Sequence, residues 1–173
     1  QYDLASLPAG YKVVANIPYY LTSNLIRIML ESDNPPHTMV LLIQKEVAER
    51  IVAEPGQMSI LAVSVQYYAD AELRELVPAE LFTPPPKVDS QIVQIKLRPE
   101  PLFIDINTED FFKVVKAGFS EKRKKLRSSL SGGLHISKEQ VDQWLQAAEV
   151  SGDARAQELT LQDWYRLTKT AIL

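Results

Sequence analysis

The sequence predicts an α/β fold in residues 1–98 and a small all-helical domain in residues 103–173. Three observations support this division. Short β-branched or apolar segments alternate with segments of helical period up to residue 98, which is typical of an α/β sheet. Pro99 and Pro101 then mark a boundary, because prolines interrupt regular structure. After them, only helical patterns with capping residues follow.

The first predicted strand covers residues 11–15 and ends at Pro18, which cannot continue a hydrogen-bonded ladder. A helix follows, with one apolar face formed by Leu25, Ile28 and Met29. Residues 39–43 are apolar throughout, which indicates a strand buried on both faces, as in a parallel sheet.

Residues 44–52 have the apolar period of a helix that ends at Pro55-Gly56. Residues 59–68 fit either a helix or a strand, and the spacing of Ile60, Val63 and Tyr67 favours a helix. Residues 71–77 and 91–97 are the remaining predicted strands, so that the sheet has about four in all.

In the helical part, Phe111, Phe112, Val115 and Phe119 line one predicted helix face. Ser120 is expected to cap a second helix that ends at Gly132-Gly133. Two capping patterns, at residues 137–140 and 160–163, predict two more helices. Trp144 and Trp164 have the spacing of the apolar residues on one face of these amphipathic helices and are therefore expected in the core.

Composition excludes several classes of protein. Apolar residues make up 46% of the 173 residues and charged residues 24%, which is a globular balance rather than that of a collagen-like or disordered chain. There are no cysteines and only two histidines, so we expect no disulfide and no metal site. The longest apolar run is about five residues, whereas a spanning helix needs roughly 20, so no membrane association is expected. The lack of cysteine fits a cytoplasmic protein.

The net charge of −3 excludes a uniformly basic nucleic-acid-binding protein. Charge is nevertheless uneven along the chain, because residues 113–127 hold seven basic residues and one acid, Glu121. Such a run is either a solvated helix face or a set of phosphate contacts. Phosphate binding would make affinity depend on salt.

Asn16-Ile17-Pro18-Tyr19 follows the first predicted strand directly. Ligands of open α/β sheets bind beyond the carboxyl ends of strands. There, the Asn16 amide oxygen and a carbonyl held by Pro18 can both accept hydrogen bonds from an exocyclic amine, while the Tyr19 ring stacks on a flat base. The alternative is a turn in which Asn and Pro only end the strand.

Phe82 begins a segment with three consecutive prolines, residues 84–86, that leads into the last predicted strand. Such a stiff, extended segment can hold Phe82 rigidly as a second stacking face for a base that has left its helix. The alternative is a proline-rich connector or a ligand for a polyproline-binding domain.

Together the motifs resemble those of the ribosomal RNA adenine dimethyltransferase family. Residues 16–19 are similar to the N-[LI]-P-[YF] motif of adenine-N6 methyltransferases, and residues 82–90 to the family's F-x-P-x-P-x-V-x-S motif. Residues 42–50 (LIQKEVAER) resemble its L-Q-K-E-V-A-x-R helix start, and residues 120–130 (SEKRKKLRSSL) its Q-R-R-K-x-L-R-x-S-L helix. Erythromycin-resistance methylases share the first two motifs.

The resemblance implies the C-terminal part of a Rossmann-like class I methyltransferase sheet, followed by a helical domain that orients RNA. The cofactor would be S-adenosylmethionine, and the substrate two adjacent adenines near the 3′ end of small-subunit ribosomal RNA in a precursor of the 30S subunit. Asn16 would hold the target amine near the methyl donor, Pro18 would supply a carbonyl acceptor, and Tyr19 and Phe82 would sandwich the adenine. The expected phosphate contacts are Lys87, Arg123, Lys124 and Arg127, the last three on a helix.

The sequence departs from the family pattern in two respects, one of which is a loop at residues 54–59 that is shorter than is common. The family's G-x-G-x-G loop and the acidic residues that follow it do not occur in the 173 residues. We therefore expect this chain alone to be inactive and to leave a sheet edge exposed. An RNA-binding or ribosome-binding module without catalysis is the alternative hypothesis, and a transcription factor related to the family is a third.

Overall fold

The computed structural model describes residues 4–171, which form four β-strands and seven α-helices. They belong to two compact units. The first, here called the sheet unit, comprises the residues up to Val52 together with Ser64–Leu102. The second, the helical unit, comprises Ala53–Val63 and the residues from Phe103 onward. The segment 53–63, which the sequence division placed before the boundary, is thus part of the helical unit.

The sheet has the strand order β1-β2-β4-β3. Its strands are β1 (Lys12–Asn16), β2 (Thr38–Gln44), β3 (Ala69–Val77) and β4 (Ser90–Leu97). All four were predicted, with ends shifted by no more than two residues. Strands β1 and β2 are parallel, whereas β4 is antiparallel to both β2 and β3, so the sheet is mixed.

The central strand β2 is less symmetrically buried than its sequence predicts. Met39, Leu41 and Ile43 are completely buried, while the alternate residues, Val40 and Leu42, are partly exposed. The uniformly apolar run predicted equal burial on both faces, and that prediction was wrong. In the described chain β1 pairs only with β2, and its Val14 is 82% exposed.

Three helices accompany the strands, namely α1 (Thr22–Leu30), α2 (Lys45–Ile51) and α3 (Ile60–Tyr68). The helical interpretation of residues 59–68 is confirmed. The predicted face of α1 is partly wrong, because Ile28 is 44% exposed and Ile26 is fully buried. Both faces have helical spacing, so only packing against the rest of the unit selects between them.

The helical unit contains α4 (Thr108–Gly118), α5 (Leu126–Leu134), α6 (Lys138–Ala147) and α7 (Leu161–Lys169). Both predicted capping patterns form. Ser137 and Thr160 each accept a hydrogen bond from the backbone amide three residues later, and the reciprocal side-chain bond is present. Both tryptophans are buried, as predicted.

The start of α5 differs from the prediction that Ser120 would cap it. The Ser120 hydroxyl donates a hydrogen bond to the carbonyl of Ala117 (2.8 Å), at the end of the preceding helix. The same hydroxyl also donates to the carbonyl of Ser129 in α5 (3.3 Å). Residues 119–125 form a turn, and α5 begins only at Leu126, without a side-chain cap.

The end of α5 differs too, because Gly132 and Gly133 lie inside the helix. A Cβ atom on Gly133 would lie 2.7 Å from the Cα of Ala117 in α4. The glycine therefore permits close approach of two helices rather than ending one of them. The terminal left-handed residue is His135, with φ = 57°.

Candidate functional site: a base-sized cavity in the sheet unit

A cavity of about 300 Å³ lies where the two sequence motifs of the sheet unit meet. The four residues predicted to be catalytic are all part of its wall. Its lining residues are Asn16, Ile17, Pro18, Tyr19, Phe82, Pro84 and Pro86. Residues more than sixty positions apart in the sequence therefore converge on one small, largely apolar space.

Asn16 reaches the cavity because it is the last residue of β1, at the carboxyl end of the strand. The Ile17 amide donates one further hydrogen bond to the carbonyl of Leu42 (3.2 Å), which carries the pairing with β2 past the end of the strand. Pro18 then has no amide hydrogen with which to continue the ladder. Its carbonyl accepts a bond from the Leu21 amide (3.0 Å), which closes a turn through Tyr19.

Phe82 is supplied to the cavity wall by the connection between β3 and β4. Its amide donates to the carbonyl of Ala79 (3.2 Å). The amide of Ala79 in turn donates to the Asp89 carboxylate (3.0 Å), which ties the two ends of the connection together. Phe82, Pro84 and Pro86 line the cavity at intervals of two residues. Residues 82–84 form bends, so the prediction of a uniformly extended segment was wrong.

A side-chain hydrogen bond joins the two motifs directly. The hydroxyl groups of Tyr19 and Ser90 lie 3.0 Å apart. Ser90 is the first residue of β4 and is only 1% exposed, whereas Tyr19 is partly exposed. The tip of the Tyr19 ring is therefore anchored to the buried end of a strand.

The lining residues are suited to binding a flat, uncharged ligand. Tyr19 and Phe82 supply aromatic faces, and the Asn16 amide and the backbone supply hydrogen-bonding groups. None of the seven lining residues is an acid, a histidine or a lysine. The cavity can therefore bind and orient an amine-bearing ring, but its walls contain no strong general base.

Lys87 lies beside this cavity in the chain. It is exposed, and it follows Pro86, which is part of the wall. Its role as a phosphate contact stays a prediction.

The other predicted phosphate contacts lie in the helical unit, and two of them are not helical. Arg123 and Lys124 are exposed in the turn before α5. We call residues 122–125 the basic turn. It presents four consecutive cationic side chains, all exposed.

Arg127, in contrast, is part of α5 and is already paired. Its guanidinium donates two hydrogen bonds of 2.6 Å to the carboxylate of Asp142. These bonds raise the pKa of Arg127 above its usual value. At the end of the basic turn, Lys125 donates to Asp153 (2.6 Å), and this bond lowers the pKa of the Asp153 carboxyl.

Sequence reasoning missed the anchoring residues and part of the wall. The recurrence of Phe82, Pro84 and Pro86 at intervals of two residues is a visible signal in the sequence. Asp89 gave no comparable signal, because its partner amide is ten residues away in a loop. In the part of the chain that the structure describes, no group of three or more acidic, histidine or cysteine residues is suited to a metal ion. None of the described helices combines the length and apolar character needed to cross a membrane.

The chain resembles known proteins along nearly its whole length. It matches the family described as "Ribosomal RNA adenine dimethylase" over residues 2–172. A ribosomal RNA small subunit methyltransferase A from Dehalococcoides mccartyi is 41% identical over 157 residues, covering 91% of this chain and 54% of that protein. A protein of the same name from Desulfitobacterium hafniense is 41% identical over 162 residues, covering 92% and 58%. The chain thus spans about half the length of these curated relatives.

Two solved structures have the same fold. A dimethyladenosine transferase from Plasmodium falciparum superposes with a TM-score of 0.72 at 24% identity, covering 93% of this chain and 66% of that one. The 23S rRNA methyltransferase ErmE gives a TM-score of 0.71 at 28% identity, covering 96% and 68%. The mixed sheet of the present chain is therefore of the Rossmann-like methyltransferase type.

Proposed function

This chain belongs to the ribosomal RNA adenine dimethylase family, and from that premise we propose that its cavity holds the adenine that is methylated. The reaction is the S-adenosylmethionine-dependent dimethylation of adenine N6 in ribosomal RNA. The observation that carries the proposal is the convergence of Asn16, Tyr19 and Phe82 on one cavity of about 300 Å³. A purine that has left its helix needs aromatic walls and hydrogen bonds to its edge, and these three residues offer both.

The polar residues of the cavity orient the amine. The Asn16 side-chain oxygen accepts one N6 hydrogen, and a carbonyl of the Pro18 segment accepts the other. The Pro18 carbonyl already accepts a bond from Leu21, but a carbonyl oxygen has a second lone pair. With both hydrogens engaged, the lone pair of the nitrogen faces away from these acceptors, where a methyl donor can approach.

Bound S-adenosylmethionine supplies an electrophilic methyl group. Asn16 fits a contact near that group, because it is exposed at the carboxyl end of edge strand β1. The remaining cofactor contacts of the family belong to a glycine-rich loop that these 173 residues do not contain. We therefore propose that this chain alone does not bind the cofactor tightly and is inactive. The exposed Val14 of β1 supports a sheet that is extended at this edge.

The proposed substrate is small-subunit ribosomal RNA, with two adjacent adenines near its 3′ end as targets, in a cytoplasmic precursor of the 30S subunit during ribosome biogenesis. The names of the curated relatives support this choice over large-subunit RNA. Residues 1–98 would act on the base, and residues 103–173 would orient the RNA. Lys87, Arg123 and Lys124 would contact phosphates, because all three are exposed.

The test needs a polypeptide in which this chain is preceded by the cofactor-binding segment of the Dehalococcoides mccartyi relative. It is incubated with isotopically labelled S-adenosylmethionine and with unmethylated small ribosomal subunits, and the RNA is then digested to nucleosides. We expect labelled N6,N6-dimethyladenosine from the small-subunit RNA. A parallel incubation contains large ribosomal subunits. Label in large-subunit RNA instead of small-subunit RNA would contradict the proposed substrate, and tight RNA binding without methyl transfer would favour the non-catalytic module.

A second measurement uses the chain by itself. Calorimetric titration with S-adenosylmethionine, on a sample whose folding is checked by circular dichroism, is expected to show no tight binding. Micromolar affinity would contradict the proposed need for the glycine-rich loop.

A further inference from the structure

Two neighbouring residues where β4 begins, Asp89 and Ser90, are linked to the aromatic walls of the cavity, Ser90 directly to Tyr19 and Asp89 to Phe82 through Ala79. The Ser90 hydroxyl meets the Tyr19 hydroxyl at 3.0 Å. The Asp89 carboxylate accepts the Ala79 amide at 3.0 Å, and the Ala79 carbonyl accepts the Phe82 amide. Neither Asp89 nor Ser90 is part of the cavity lining.

We propose that Asp89 and Ser90 are positioning residues that hold Tyr19 and Phe82 in place for stacking on the target base. The inference rests on the proposed function, since it needs a base between the two rings. It assigns different roles to two groups of residues. The lining residues contact the base, and Asp89 and Ser90 hold the lining residues in position.

Ser90 acts on the orientation of the Tyr19 ring. A tyrosine turns about two side-chain bonds, and a hydrogen bond at the tip of the ring restricts both. Ser90 is itself buried and paired in the ladder with Gln44 of β2 and with Val77 of β3. The anchor is therefore part of the rigid sheet, whereas the ring that it holds lies in a turn.

Asp89 acts on the loop that presents Phe82. Its carboxylate closes a loop whose bonded residues, Ala79 and Asp89, lie ten positions apart, and closure of a flexible loop removes much of its conformational freedom. Asp89 is fixed in turn, because its backbone carbonyl accepts the Lys45 amide at the start of α2 (3.0 Å). The residues that hold Tyr19 and the Phe82 loop therefore both lie at the junction of β2, α2 and β4.

The experiment measures stacking directly. The probe is a short single-stranded RNA with one 2-aminopurine, a flat purine whose fluorescence is quenched by stacking and can be excited where tyrosine and tryptophan do not absorb. The quench at saturating protein reports the stacked fraction, whereas the midpoint of the titration also depends on phosphate contacts. Ser90→Ala and Tyr19→Phe each remove the bond between the hydroxyls from one side.

We expect both variants to lower the ratio of stacked to unstacked probe about two- to tenfold, the range of a net hydrogen bond. The double variant should be no worse than either single variant, since the bond can be removed only once. Asp89→Ala should have a similar effect, while Asp89→Asn should retain stacking, because its amide oxygen can still accept the Ala79 amide.

The controls separate positioning from general damage. Ser64→Ala removes a buried hydroxyl elsewhere in the sheet unit and should leave the quench unchanged. If Ser90→Ala fails to fold, as judged by circular dichroism, Tyr19→Phe still tests the same bond. Normal quenching by folded Tyr19→Phe and Asp89→Ala variants would overturn the inference. Absence of any quench with the unmodified chain would instead contradict the proposed function of the cavity.

Discussion

The cavity of the sheet unit and the basic turn of the helical unit are built in opposite ways. The cavity collects residues from distant parts of the sequence. Its Tyr19 is hydrogen-bonded to Ser90, and the loop that carries Phe82 is closed by the bond from the Ala79 amide to the Asp89 carboxylate. The basic turn consists of consecutive residues, 122–125, whose side chains are all exposed. One region is thus defined by geometry and the other by charge.

This difference matches the two requirements of nucleic-acid recognition. Reading a base demands fixed hydrogen-bonding groups and fixed stacking faces, whereas attraction to phosphates requires positive charge and tolerates mobile side chains. If the comparison is correct, small changes in the cavity should abolish function, while changes in the basic turn should weaken it gradually and in a salt-dependent way.

The largest expected effect is on Asn16. Replacing it by alanine in a polypeptide that also contains the cofactor loop should slow methyl transfer about 10²- to 10³-fold, comparable to the loss of one hydrogen-bonding group aimed at a reacting centre. Binding of RNA should change little, because phosphate contacts are untouched. Transfer of labelled methyl groups and RNA affinity are measured on the same preparation.

Asn24→Ala is the matched control for this variant, because Asn24 is an exposed asparagine of α1, outside the cavity lining. It should be as active as the unmodified protein. Equal decreases for the two asparagines, or a tenfold decrease of RNA affinity with Asn16→Ala, would break the distinction between geometry and charge.

The next effect in size concerns Phe82. Its replacement by alanine removes one stacking face, which is worth about 1–3 kcal/mol per base. We expect the ratio of stacked to unstacked 2-aminopurine in single-stranded RNA to fall about five- to 150-fold. Leu81→Ala is the control, because Leu81 is the preceding residue, is 71% exposed and is outside the lining. A similar decrease for Leu81→Ala would mean that the loop as a whole, and not the ring, is required.

The helical unit also has a geometric requirement, the close approach of α5 to α4, and two neighbouring glycines of α5 test it. Gly133→Ala should destabilise this unit by about 1–3 kcal/mol, because its Cβ would overlap Ala117 of α4. Gly132→Ala should instead stabilise it by up to about 1 kcal/mol, as expected of an exposed helical position. Its Cβ would meet only the flexible Glu121 carboxylate, at 3.3 Å.

Urea unfolding followed by tryptophan fluorescence measures this effect selectively, because both tryptophans belong to the helical unit. Quenching of 2-aminopurine by the cavity should be unchanged in both variants. Equal stability of the two variants would contradict the explanation of Gly133 as a point of close helix approach.

Much of this molecule could be predicted from local sequence. The four strands, the helix at residues 59–68 and the capping boxes of α6 and α7 follow from patterns within about ten residues. Four of the seven residues that line the cavity were also expected, although only the fold shows that Asn16 and Phe82 share one space.

The remaining features depend on interactions that local patterns do not encode. Gly133 is of a residue type that often ends helices, and only its contact with the backbone of α4 explains why it lies inside one. Ser120 is of a residue type that often caps helices, but its hydroxyl donates a hydrogen bond to the preceding helix. The Tyr19–Ser90 bond spans 71 positions, so neither residue alone predicts the other as its partner.

The smallest expected effect is a change in the salt dependence of RNA binding, and it compares unpaired with paired cations among the described residues of the helical unit. Combined replacement of Arg123 and Lys124 by alanine should weaken single-stranded RNA binding and lower the slope of log affinity against log salt by about 1.4, or about 0.7 for each phosphate that is no longer neutralised. Arg127→Ala should change the slope less, because its guanidinium already bonds to Asp142. Fluorescence anisotropy at several salt concentrations measures both.

The matched control is the pair Lys113→Ala and Lys116→Ala, which removes the same charge from exposed positions of α4. If the basic turn acts by its position, this control should leave the slope nearly unchanged. If instead every cation in residues 113–127 contributes equally, the three variants will differ only by the number of charges removed. The basic turn would then be a solvated part of a general positive surface, and only the cavity would carry specific recognition.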